Sequence, residues 1–149
     1  MPDGGDLDER HEYLEKNSIY REWGLVFEQY VELALEGNTE ALKRAVIYLW
    51  YQTCEPAPLS GLINLNNEAV VSTLEYLNKL LAKGQIDSEL AWMLPYYYQI
   101  ADWYIPKRVT ADAIIMFSCK GSEKYISSLN KSNFIGRGQL GDYWSSIQS

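Results

Sequence analysis

Residues 91–105 read AWMLPYYYQIADWYI, two tryptophans and four tyrosines around a central Pro95. Turned at about 100° per residue, Ser88, Ala91, Pro95, Gln99 and Asp102 fall on one narrow seam, and Met93, Tyr97, Ile100 and Tyr104 lie opposite. Trp92, Tyr96 and Trp103 take one flank, Leu94, Tyr98, Ala101 and Ile105 the other. A helix apolar over most of its circumference belongs at the centre of a fold. The spacing therefore predicts a central helix over residues 88–105, capped by Asp87, bent at Pro95 on its polar seam, with Met93, Tyr97, Ile100 and Tyr104 as its most buried line.

Working outward, the helical period recurs upstream. In residues 18–36, Tyr20, Trp23, Phe27, Tyr30 and Ala34 share a stripe with Val26 and Leu33 beside it, and Gly37 supplies a stop. Asn38 or Thr39 can cap a second helix with Leu42, Ala45, Val46, Leu49 and Trp50 on its apolar side, ended by Pro56 and Pro58. These two are expected to form an antiparallel hairpin. Residues 55–66 read as a packed connection, and Asn66 or Asn67 caps a third helix to about residue 83 along Val70, Leu74, Leu77 and Leu81. Thr110 can cap a further helix over residues 111–119, although the β-rich AIIMF at 113–117 leaves a strand open. The fold class is all-α, a compact single-domain bundle of five or six helices starting with that hairpin. Residues 1–17 form an acidic N-terminal segment, residues 18–130 the helical domain, and residues 131–149 an irregular Gly/Ser-rich tail packed on it.

At 149 residues the chain is most simply one domain that buries its own core. The acidic opening has no apolar signal region and no apolar run is long enough to span a bilayer, so the protein is expected in the cytoplasm and off the membrane. There Cys54 and Cys119 should be buried thiols rather than a disulfide. With one histidine and no short-spaced cysteines, no metal site and no cofactor are expected. The net charge of −7 is concentrated in residues 1–36, which hold ten acids and three bases; the remainder is balanced. Nucleic acid is therefore not an expected partner, whereas a basic protein is.

FIGRGQLG at 134–141 contains G-x-G-x-x-G, but only eight residues follow Gly141 and no strand–helix alternation surrounds it. A dinucleotide fingerprint needs both a preceding strand and an acidic residue about 20 positions on. The glycines are read as turns, with Arg137 an exposed recognition charge on one of them. No nucleophile elbow or base-paired cysteine is present, so no catalytic residue is assigned. Glu55 and Asp102 are the carboxylates nearest to aromatic surroundings, and they carry the alternatives of a hydrolase-like enzyme using an aromatic-lined pocket or a sensor of a small ligand. Twelve tyrosines, five tryptophans and three phenylalanines exceed what a small helical core encloses. The leading expectation is a non-catalytic protein-binding module (adaptor, inhibitor or immunity-like protein). It would meet its partner with the acidic back of the first helix, Glu28, Glu32 and Glu36, the aromatic flank Trp92, Tyr96 and Trp103, and Arg137.

Overall fold

Three side chains fix the helix starts that frame the molecule. Asn38 Oδ1 accepts from the Ala41 amide at 2.9 Å, Asn66 Oδ1 from Ala69 at 3.2 Å, and Asp87 Oδ1 from Leu90 at 2.9 Å, each satisfying an amide that the helix leaves open. The computed structural model describes residues 6–101, 113–115 and 136–137, and over these the chain is all-α. The helices are α1 (Leu7–Lys16), α2 (Ile19–Leu35), α3 (Thr39–Cys54), α4 (Ala57–Ser60), α5 (Asn67–Ala82) and α6 (Ser88–Ile100). Residues 113–115 are also helical, which favours the helix over the strand there; the rest of 111–119, including Cys119, lies outside the described residues. No helix among the described residues is long and apolar enough to cross a membrane.

The bundle is organised on α3, against which α2, α4, α5 and α6 pack. Its predicted apolar side, Leu42, Ala45, Val46, Leu49 and Trp50, is fully buried, together with Phe27 and Val31 of α2 and Val70, Leu74 and Leu77 of α5. Trp50 joins α3 to α6 twice: its ring stacks on Tyr97 at 5.2 Å between centroids, and its indole N–H donates to the Tyr97 carbonyl at 3.1 Å. The hydrogen bond offsets the desolvation cost of burying the indole N–H.

Several expectations are corrected. The acidic N-terminal segment folds as α1, so the described chain begins with a charged helix ahead of α2 and α3. Met93 and Tyr97 are buried, but Ile100 is 52% exposed, while the next residue, Ala101, leaves helical geometry at φ −144° and is buried. Pro95 and Ala91, expected on a wet seam, are buried. Cys54 is exposed rather than buried, and Trp23, expected in the core, is 37% exposed. Tyr104 and Asp102 lie outside the described residues.

Candidate interaction surface

The outer side of α2 carries Glu22, Glu32 and Glu36, all exposed, and none of them has an ion-pair partner among the described residues. On a straight helix Glu28, Glu32 and Glu36 stand one turn apart, so their charges repel and the ridge adds nothing to helix stability. Glu28 differs from the other two. It is half-buried and accepts from Asn66 Nδ2 at 2.7 Å, and Asn66 is also the cap of α5, so one residue ties α2 to α5 through two bonds. Leucines interrupt the ridge: Leu25 is 50% exposed, with Leu33 and Leu35 nearly as open.

Two depressions flank the place where the loop after α4 crosses α2. On one side a groove of about 330 Å³ runs between Tyr20, Gly24, Leu25 and Glu28 of α2 and Ile63 and Asn66 of the loop. The Tyr20 hydroxyl lies 2.9 Å from His11 Nδ1, which fixes this wall to α1; partial burial first, and Glu15 second, push the phenol up. On the other side a cleft of about 310 Å³ is lined by Trp23, Tyr48, Tyr51, Leu14 and Leu59. Gly61 is part of this cleft's wall; its φ of 75° suits glycine, and a Cβ there would stand 3.2 Å from Trp23 Cδ1. Arg10 Nε donates to the Pro58 carbonyl at 3.1 Å and holds α1 against α4 at the mouth of the cleft. Tyr48, under this cleft, has its phenol pushed up to about 12 by burial and by Tyr30, against an opposing pull from Arg44.

Charge is handled differently inside. Glu89, the one buried carboxylate among the described residues, receives Arg137 through Nη1 at 2.7 Å and Nη2 at 2.9 Å, and Lys43 Nζ at 3.1 Å. Lys43, itself buried, also meets Asp87 at 2.6 Å, and Arg137 also binds Glu40 through Nη2 at 2.6 Å and Nε at 3.3 Å. Arg44 closes the circuit by pairing with Glu40 at 3.3 Å and donating to the Arg137 carbonyl at 2.8 Å. Three acids and three bases balance here. Burial pulls on the Arg137 proton, but the hydrogen bonds it donates to Glu89 and Glu40 outweigh it and hold the guanidinium above its ordinary value.

No family model, curated protein or solved structure matches the chain. Site residues therefore rest on geometry alone.

Arg137 is mostly enclosed between Glu40 and Glu89 rather than held out as an exposed recognition charge. Gly136, beside it, has the φ of 76° of a turn; Gly138 and Gly141 lie outside the described residues, as does Trp103. Trp92 is only 2% exposed, and it stacks on the half-buried Tyr96 at 5.3 Å, which in turn meets Tyr97 edge-on at 5.4 Å. Trp92 is therefore core, with Tyr96 packed at its edge, and no described contact joins either to the α2 carboxylates. Glu55 is exposed at the end of α3. Partial burial and Glu55 push the Cys54 thiol up, which makes it a poorer nucleophile at neutral pH. Sequence reasoning missed Gly24, Leu25 and Ile63. Leu25 stands outside the apolar stripe of α2, and that displacement was a readable signal; the loop's approach to α2 had none.

Proposed function

We propose that this chain is a non-catalytic protein-binding module that meets a basic partner through the outer side of α2. One observation carries the reading: the acids around Lys43 and Arg137, namely Glu40, Asp87 and Glu89, are each matched with a cation, whereas Glu22, Glu32 and Glu36 are left open to solvent beside half-exposed leucines. Ordered, uncompensated carboxylates speed encounter with a cationic surface, and the leucines supply apolar contact once water leaves. Glu28 contributes charge at the edge of this face. Trp92, as a core residue, drops out of the site, and Arg137 with it. The cytoplasmic setting and the exclusion of nucleic acid rest on the sequence and its acidic balance.

The test is kinetic. A partner captured on the immobilised wild-type protein should associate several-fold more slowly with the Glu32→Lys, Glu36→Lys double variant, and with a weaker salt dependence. The urea midpoint of that variant should stay close to wild type. Unchanged association kinetics would remove the reading.

A second reading, a sensor of a small apolar ligand, is favoured by the cleft beneath Trp23, Tyr48 and Tyr51, whose volume of about 310 Å³ is at the lower end for ligand sites. Quenching or enhancement of Trp23 emission by indole or a medium-chain alcohol, lost in Trp23→Phe, is its signature. The hydrolase-like alternative gains no support from Glu55, which is exposed.

A further inference from the structure

Gly24 stands in the middle of α2 without a structural reason to be glycine. Its backbone is helical, with none of the positive φ seen at Gly61, and a Cβ built there would meet nothing within 4 Å. Only proline is a poorer helix former. The position therefore gives up helix stability and leaves a strip of bare backbone, the kind of surface that lets another group approach closely. That strip lies in the groove of about 330 Å³, between Tyr20 and Leu25 on the helix and Ile63 on the loop. Along the helix, Arg21 borders one end of the groove and Glu28 the other, about 10 Å apart. Beyond Glu28 the exposed Glu32 and Glu36 continue the negative charge.

We infer that the groove over Gly24 seats an apolar side chain of a partner protein segment, with a lysine or arginine of that segment lying toward Glu28 and Glu32. This rests on the reading of α2 as the partner-facing helix and names what that face takes. A second copy of the chain is disfavoured as occupant, because it would bring together two chains that each carry a net charge of −7 concentrated in residues 1–36. An isolated small molecule is disfavoured as well. Leu25, half exposed, leaves the groove too open to enclose most of a ligand's surface. A chain segment needs only its anchor covered, and the remainder can lie along the carboxylates.

The probe is a blocked lysine-rich peptide with two central leucines, added to the isotopically labelled full chain and followed by amide chemical shifts. Saturable shifts should centre on Gly24, Leu25, Glu28 and Ile63, and the same peptide with serines for leucines should bind about tenfold more weakly. Gly24→Leu should abolish the saturable shifts while keeping the helical circular dichroism. Gly24→Ala, the milder filling, should raise the urea midpoint yet still weaken the peptide. Shifts confined to Glu32 and Glu36, indifferent to the leucines and to both Gly24 variants, would overturn the groove and leave the acidic face standing. No shift anywhere on α2 would overturn both.

Discussion

One guanidinium holds two carboxylates at once: Arg137 Nη2 lies 2.6 Å from Glu40 and 2.9 Å from Glu89. Truncating one member of such an enclosed set leaves the others desolvated and unbalanced, so Arg137→Ala should cost roughly 3–5 kcal/mol in urea unfolding. Lysine should restore only part of this, because a point charge does not reproduce the two-sided fork. Arg137→Ala and Glu89→Ala should be less than additive in combination, since each removes the same bonds. Tyr48 gives a titration test. Its phenol ionises at about 12 in the folded chain and near 10 when unfolded, so its contribution is intact below pH 10 and is lost as pH rises toward 12. Tyr48→Phe should flatten part of that alkaline decline, with Tyr51, also raised by burial, supplying some of the rest. Arg137 illustrates what the sequence does not disclose. Its carboxylate partners stand 48 and 97 residues away, and neither spacing nor composition marks a pair brought together only by packing.

At the scale of the helix, the starts of α3, α5 and α6 were legible, and the faces of α6 were not. Asn38, Asn66 and Asp87 sit where the apolar period begins, and each accepts the amide that a capping residue should. The apolar sides of α3 and α5 were equally readable, because each has a polar side for contrast. α6 has almost none, so the wheel could not say which flank meets the core, and Trp92 and Ile100 exchanged their expected places. α1 was missed because LDERHEYLEK offers only Leu7, Tyr13 and Leu14 as apolar residues, too few for a period. The resulting contrast along α6 is measurable: Tyr97→Ala should cost roughly 3–5 kcal/mol, whereas Ile100→Ala should stay within about 0.5 kcal/mol. Asn66→Ala should cost about 1 kcal/mol for the cap alone, and a little more for the bond to Glu28 that it also loses.

Over the whole molecule, charge is sorted by position. The excess acids sit on the outside of α1 and α2, and the balanced set lies between α3, α6 and Arg137. The same substitution should therefore have opposite consequences. Glu36→Lys should leave the urea midpoint unchanged, whereas Glu40→Lys, which places a third cation beside Arg44 and Arg137, should lower it clearly. The inner set also has an order in time, because a ribosome makes the chain from its N-terminus and domains form as they emerge. Lys43 can meet Asp87 and Glu89 as soon as α6 has left the exit tunnel, but Arg137 is synthesised 97 residues after Glu40. Until Arg137 emerges the nascent domain carries two neighbouring carboxylates one cation short, so the electrostatics of a core is completed well after its helices were made.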